Sequence, residues 1–245
     1  MIKIEKDLND IPSTLNSAKT DQRRKELIEY GRYINNSIYD SRYKLKDIKE
    51  KLRSIYKNKC AFCEQRIEQF AVEHFRPKNI YYWLAYSWDN LLLACPTCNG
   101  HKNKHFETLN ERAILTEEEL EQIHQLTDKY NGIESSKLIH PEKEAIDSLL
   151  IFGKDGSVRS DDERVDYTIN ICRLNRNDLK DERKKIIDDL ERKLTSRLYE
   201  VQSGDEDARI KIKGLIEDFI KDSKNIEKTY IAFRRYAVEH FLPKK

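Results

Sequence analysis

Residues 60–63 read Cys-Ala-Phe-Cys and residues 95–98 read Cys-Pro-Thr-Cys, and these two stretches decide how the middle of the chain folds. Each pair offers two neighbouring thiolates, and two pairs complete the tetrahedral sulfur shell that a structural zinc ion prefers. The 31 residues between the pairs exceed the roughly 15 to 20 of a simple zinc ribbon. We predict a zinc site with a further element inside its loop, held by Cys60, Cys63, Cys95 and Cys98.

The composition indicates a helical protein without a strong overall charge. The chain has 245 residues, of which 37% are charged, and a net charge of +2. It therefore has no basic field over its whole surface, and any nucleic-acid site must be a local patch. No apolar run approaches the roughly 18 residues needed to span a bilayer, and the start lacks a signal-peptide core. We predict a cytoplasmic protein that does not bind membranes, whose paired cysteines bind metal and whose Cys172 is an ordinary buried thiol.

Hydrophobic spacing divides the chain into three predicted parts. Residues 1–57 form a helical arm, in which apolar residues recur every three or four positions and Asp40 caps a second helix. Residues 58–107 form the compact metal-bound module, with a helix starting at Asn99. Residues 108–245 form a helical region that we expect to contact a partner, with a hairpin at residues 149–159 and helices at residues 162–174, 177–201 and 205–241.

Polar residues with catalytic potential lie inside the cysteine frame. Cleavage of a phosphodiester needs a base with a pKa near neutrality and a divalent cation that stabilises the developing charge. His74 can be that base. If Glu73 and His74 lie on a strand, Glu73 faces the side opposite to His74 and can bind a hard cation through its carboxylate. Asn99 can add an amide oxygen to that cation. Such oxygen ligands suit Mg²⁺ or Mn²⁺.

The order of these residues resembles the HNH endonucleases, whose ββα-metal motif holds one catalytic divalent ion. More narrowly, Glu-His-Phe-Arg-Pro-Lys at residues 73–78, Tyr-Tyr-Trp-Leu-Ala-Tyr at 81–86 and Asn-Leu-Leu-Leu-Ala-Cys at 90–95 resemble the PtuB type. Those proteins are the HNH nucleases of Septu and some retron anti-phage systems. The resemblance implies a mainly α fold with a small ββα-metal (HNH) module stabilised by a four-cysteine zinc site.

The resemblance also implies a role for each matching residue. His74 would be the general base, and Glu73 and Asn99 would be ligands of the catalytic metal ion. Asn90 would tie the loop by hydrogen bonds, and Lys102 would contact phosphate. Two residues depart from the commonest family pattern, because Glu73 replaces an Asp and Asn99 stands where many members have a His.

The function implied is a metal-dependent endonuclease that cleaves nucleic acid, DNA in preference to RNA, as the effector of an anti-phage defence system. The resemblance implies a PtuA-like ABC-type ATPase as partner. The sequence has no Gly-x-x-x-x-Gly-Lys-Ser/Thr loop of its own, so any ATP-dependent control must come in trans. A retron reverse transcriptase with its RNA–DNA is a further candidate partner. Two alternatives stay open: a zinc-stabilised nucleic-acid-binding or assembly module without catalysis, and an RNA (tRNA) nuclease on the same fold.

Other residues near the predicted site allow two interpretations each. His101 and His105 either assist the site or lie on a solvated helix face, and Arg76 and Lys78 either contact a nucleic-acid backbone or face solvent. The aromatic residues of the module are predicted to form its core rather than to stack on bases: Tyr81, Tyr82, Trp83 and Trp88. The sequence of residues 71–78 recurs at 237–244 with one change, and we expect chance or shared helix-end packing to explain the repeat rather than a second active site.

Overall fold

The structure is a computed structural model that describes residues 1–242. The chain divides into two compact units. The N-terminal unit comprises Lys3–Phe62 and Arg66–Glu144, and the C-terminal unit comprises Met1–Ile2, Cys63–Gln65 and the chain from Ala145 onward. In the described part of each unit, α-helices outnumber β-strands, and this confirms the predicted fold class. The three-part division of the chain at residues 57 and 107 stays a prediction.

The first part of the N-terminal unit is helical. Its helices are α1 (Ala18–Tyr30), α2 (Ser37–Asp40) and α3 (Lys46–Ile55). The Ser17 hydroxyl caps α1 by accepting the backbone N–H of Thr20, and Gly31 ends this helix in the left-handed conformation. The predicted cap at Asp40 is wrong: this residue ends α2, and α3 begins only at Lys46, after a 3₁₀ turn.

Two short strands and a helix form the centre of the N-terminal unit. Strand β1 (Ala71–His74) pairs antiparallel with β2 (Leu91–Ala94), and α4 (Pro96–Lys102) and α5 (Thr127–Glu134) follow. In the pairing, Glu73 lies opposite Leu92 and His74 opposite Leu91. Helix α4 begins directly after Cys95, with Pro96 in the first turn, where a missing N–H is tolerated. The predicted start at Asn99 is therefore three residues late.

The C-terminal unit contains the predicted hairpin and four helices. Its elements are β3 (Ile151–Phe152), β4 (Val158–Arg159), α6 (Glu163–Ile171), α7 (Asn177–Gln202), α8 (Asp207–Lys224) and α9 (Ile231–His240). The hairpin turn requires glycine at Gly156, whose φ is +80° and where a Cβ would lie 2.1 Å from the Lys180 carbonyl oxygen.

The predicted continuous helix over residues 205–241 is wrong, because the chain leaves the helical conformation between α8 and α9. The Glu64 carboxylate stabilises the new start by accepting the N–H groups of Ile231 (2.6 Å) and Ala232 (3.3 Å). This distant cap lies outside any local sequence pattern. The second copy of the repeat falls on α9, and its last two residues, Pro243 and Lys244, lie outside the described residues.

Candidate metal centre and active site

The four predicted zinc ligands come together. The Sγ atoms of Cys60, Cys63, Cys95 and Cys98 all lie within 4.8 Å of one another, and all four residues are buried. A tetrahedral zinc ion with Zn–S bonds of about 2.3 Å requires sulfur atoms about 3.8 Å apart, so the cluster fits the ion after a small adjustment. The Cys98 N–H donates to the Cys95 Sγ at 3.3 Å, which orients this thiolate as in a zinc knuckle. We call this group the four-cysteine cluster.

None of the five cysteines, all of which lie within residues 1–242, forms a disulfide. Each of the five is buried and unbridged, as the prediction of metal binding in place of disulfides requires. Cys172 is fully buried and does not belong to the metal-binding group. The structure therefore separates four cysteines that can share an ion from one that packs as a small apolar side chain.

Strand β1 carries the predicted catalytic pair to a cavity of the N-terminal unit. Glu73 and His74 line this cavity of about 640 Å³, and so do Asn99 and Gly100 of α4. Carboxylate and amide oxygens are ligands that Mg²⁺ and Mn²⁺ accept. The hairpin and helix thus bring together three residues that are separated by up to 26 positions in the sequence.

His74 is held in one tautomer. Its Nε2 lies 2.9 Å from the Ala85 carbonyl oxygen, and because a carbonyl only accepts, Nε2 carries the proton and Nδ1 keeps a lone pair. Burial lowers the pKa of His74 to about 3, and the positive charges of Lys78 and Lys102 act in the same direction. The ring of Tyr43 packs edge-on against the imidazole at 4.5 Å. At neutral pH the ring is therefore uncharged and can accept a proton, but its pKa lies well below the near-neutral value expected from the sequence.

Lys102 lies beneath the catalytic pair. Its Nζ is 2.8 Å from the Glu73 Oε1 and 2.7 Å from the His74 carbonyl oxygen, and its side chain is fully buried. Burial raises the pKa of Glu73, and the lysine charge opposes that shift. The ammonium therefore faces the strand, and the contact with phosphate that the resemblance implies for Lys102 stays a prediction.

Asn90 fastens the loop that connects the two strands. Its Oδ1 accepts the Arg76 N–H at 2.7 Å, and its Nδ2 donates to the carbonyl oxygens of Arg76 (3.1 Å) and Leu84 (3.2 Å). The side chain is completely buried and uses both ends of its amide. Because Leu84 precedes Ala85, these bonds also fix the carbonyl that orients His74.

Several neighbours differ from their sequence-based interpretations. Both interpretations of Arg76 are wrong, because it is completely buried and pairs with Glu134 (2.8 Å) and Asn131 (2.7 Å). His101 and His105 do not line the cavity. Of the four aromatic residues predicted as core, Tyr81, Trp83 and Trp88 are buried, whereas Tyr82 is half-buried.

Sequence reasoning missed a set of basic residues around the cavity. They are Lys44, Lys49 and Lys104, and with Lys78 they form what we call the lysine rim. Lys44 and Lys49 belong to the helical arm, far in sequence from the cysteine frame. Only the three-dimensional fold brings them to the catalytic pair, so no local motif could have indicated them.

Comparison with known proteins assigns the chain to a family. A sequence model of the HNH endonuclease family matches residues 60–105. The chain is 30% identical over 253 aligned positions to the Septu protein PtuB of Bacillus mycoides (strain KBAB4), an alignment that covers 94% of this chain and 79% of that protein. The chain belongs to the PtuB family. A Septu protein PtuB of Bacillus thuringiensis is 40% identical over 74 residues, which are 29% of this chain and 27% of that protein.

The HNH match makes this PtuB-family chain an endonuclease that acts on phosphodiester bonds, as predicted. The matched span contains both cysteine pairs and the five residues for which catalytic roles are predicted. Among the helices of residues 1–242, none combines the length and apolar character that a membrane crossing requires.

Proposed function

We propose that this PtuB-family chain uses a divalent metal ion to hydrolyse nucleic acid, DNA in preference to RNA, as the effector of an anti-phage defence system. The observation that carries the proposal is the position of Glu73 and His74. The two are neighbours on β1 and line one cavity together with Asn99. A base and an oxygen-ligand pair in one cavity are what phosphodiester hydrolysis needs.

In this proposal His74 accepts the proton of the attacking water at Nδ1. The Ala85 carbonyl holds the ring by its Nε2–H, so the lone pair stays on Nδ1. Glu73 and Asn99 would hold Mg²⁺ or Mn²⁺, to which their oxygen atoms are suited. When bound, the ion would stabilise the negative charge on the scissile phosphate and the leaving oxygen.

Asn90 and Lys102 act by positioning. Asn90 ties the loop that presents the Ala85 carbonyl to His74. Lys102 joins α4 to β1 through Glu73 and the His74 carbonyl, and this bond keeps Asn99, one turn earlier on the same helix, beside the strand. Its charge also contributes to the positive potential that phosphate meets at the cavity.

A structural zinc ion in the four-cysteine cluster would support the module. Residues 60–63 precede β1, and residues 95–98 directly follow β2 and form the start of α4. An ion bound to both pairs would therefore fasten the two ends of the element that carries the catalytic pair, and its binding free energy would add to folding.

The proposed partner is an ABC-type ATPase of the PtuA kind. Both relatives bear the name Septu protein PtuB, and this chain lacks a phosphate-binding loop of the P-loop type. We place the partner's contact on the region 108–245 and the complex in the cytoplasm, where free thiols persist. The names of these two relatives give no support to a retron reverse transcriptase as a partner.

The proposal is tested by incubating the purified chain, with and without the ATPase, with plasmid DNA and with total tRNA in Mg²⁺ or Mn²⁺. Cleavage of plasmid in preference to tRNA supports it. Preferential cleavage of tRNA would show that the same chemistry acts on RNA and would contradict the preference for DNA. Binding to either nucleic acid without cleavage under any condition would contradict the proposal and favour a zinc-stabilised binding module.

A further inference from the structure

The lysine rim has an excess of positive charge. Lys44 and Lys78 share one counter-ion, Asp40, at 3.3 Å and 2.8 Å. The single carboxylate among the cavity-lining residues, Glu73, is paired with Lys102. The rim therefore contains two further positive charges that the carboxylate of the cavity does not balance.

Those two charges belong to Lys49 and Lys104. Within residues 1–242, neither ammonium forms an ion pair or a side-chain hydrogen bond, although both residues line the cavity. They come from different elements: Lys49 lies on α3, and Lys104 lies just after α4, beyond Asn99. The catalytic pair thus lies in a cavity bordered by two unpaired cations from separate elements.

The basic surface continues from this cavity along α3. A second, smaller cavity of about 320 Å³ shares Lys44, Lys49 and Phe70 with the first. Arg53 also lines this cavity and lies one helical turn from Lys49, which is about 6 Å along the helix axis. Its guanidinium lies over the ring of Phe70 at 5.6 Å. Lys49 and Arg53 therefore add two cations of α3 to this second cavity, which Lys46 and Glu50 also line.

Because the proposed function requires a phosphodiester beside His74, we infer that Lys49 and Lys104 bind the phosphates that flank the cleaved one. The helical arm would then form part of the substrate site, and the strand would leave the cavity along α3 past Arg53. The ligand is the phosphodiester backbone shared by DNA and RNA, since ammonium groups at the rim contact phosphate without reading bases. This inference depends on the proposed nuclease function.

The test measures binding by the full chain carrying His74→Ala, so that bound nucleic acid is not cut. Fluorescent 30-nucleotide single-stranded DNA, the matching duplex and single-stranded RNA serve as probes in separate titrations at several salt concentrations. The test variant adds Lys49→Gln and Lys104→Gln. The matched control adds Lys19→Gln and Lys25→Gln, which remove two exposed lysines of α1 that form no ion pair within the described residues and do not line the cavity.

Loss of two phosphate contacts lowers the slope of log K against log salt by about 1.4 to 1.8, and weakens binding by about 25- to 60-fold at 0.1 M salt. We expect this loss for the rim variant and a change of less than about threefold for the control. The probe with the largest loss identifies which nucleic acid uses the site. Equal losses of affinity in the two variants would overturn this inference and leave the proposed function untouched. If the His74→Ala parent bound none of the probes, that result would contradict the proposed function as well.

Discussion

Lys102 and Glu73 form a buried ion pair between α4 and β1, with Nζ 2.8 Å from Oε1 and side-chain exposures of 0% and 6%. The same ammonium donates to the carbonyl oxygen of His74. One side chain therefore joins the helix that carries Asn99 to the strand that carries the catalytic pair. Because the pair is removed from water, loss of either member leaves the other as an uncompensated charge.

Lys102→Met should therefore lower the free energy of unfolding by about 3 kcal/mol. Urea unfolding in a buffer without Mg²⁺ or Mn²⁺ measures this difference. Lys104→Met is the matched control, because Lys104 lies two residues further along, is exposed and forms no ion pair within residues 1–242. The control should change stability by less than about 0.5 kcal/mol. Equal stability of the two variants would show that the pair contributes nothing.

The four-cysteine cluster should bind zinc through all its thiolates. Cys60→Ser should reduce the zinc content from one ion per chain to near zero and should unfold the module, since structural zinc contributes folding free energy. Elemental analysis and circular dichroism measure the two effects. Cys172→Ala should retain the ion, because Cys172 lies outside the cluster. A Cys60→Ser chain that keeps a full complement of zinc would refute the site.

The amide of Asn90 should be required as a donor. Asn90→Asp replaces Nδ2, which donates to the carbonyl oxygens of Arg76 and Leu84, with an oxygen that repels both. We expect a loss of about 3 kcal/mol in unfolding free energy, because two buried acceptors lose their partner. Asn79→Asp, at an exposed position on the cavity wall, should be neutral in the same denaturation series. Equal unfolding free energies of the two variants would contradict the role of Asn90 in fastening the loop.

Stability should fall in acid partly through His124. Its Nδ1 accepts the backbone N–H of Trp88 at 2.9 Å. Burial, aided by the charge of Arg24, lowers the pKa of His124 to about 3. The folded state therefore favours the neutral ring. The stabilisation that results is fully present above the pKa of His124 in the unfolded chain, which is about 6.5. It is lost as the pH falls from there toward 3, and about 2 kcal/mol of unfolding free energy is lost by pH 5.

His124→Asn keeps an acceptor for the Trp88 N–H but removes the titrating ring. The difference in unfolding free energy between pH 7.5 and pH 5 should thus become about 2 kcal/mol smaller than in the parent. The exposed His105→Asn serves as control and should leave that difference unchanged. If His124→Asn kept the full pH dependence of the parent, the acid sensitivity would have to come from other groups.

The sequence predicted those parts of the site that depend on spacing. Two Cys-x-x-Cys pairs predict a shared ion because each pair is local, and the Sγ atoms do converge. The burial of Arg76 depends instead on Glu134 and Asn131 of α5, more than 50 residues away, so spacing could not reveal it. Lys44 and Lys49 of the lysine rim were missed for the same reason.

The repeated sequence shows that local propensity alone does not determine secondary structure here. Ala-Val-Glu-His forms strand β1 at residues 71–74, where it pairs with β2, but lies within helix α9 at residues 237–240. Identical residues therefore adopt different structures because their neighbours differ: β2 offers strand hydrogen bonds to the first copy, while the second continues a helix already started at Ile231.

The central claim is that His74 is the base of a nuclease site, and the most direct test is plasmid cleavage in Mg²⁺ by the parent chain, His74→Ala and His105→Ala, each assayed with the ATPase partner. We predict that His74→Ala cuts at least about 100-fold more slowly while retaining its zinc and its melting temperature, and that His105→Ala cuts like the parent. Cleavage by His74→Ala at the parental rate would contradict this role for His74.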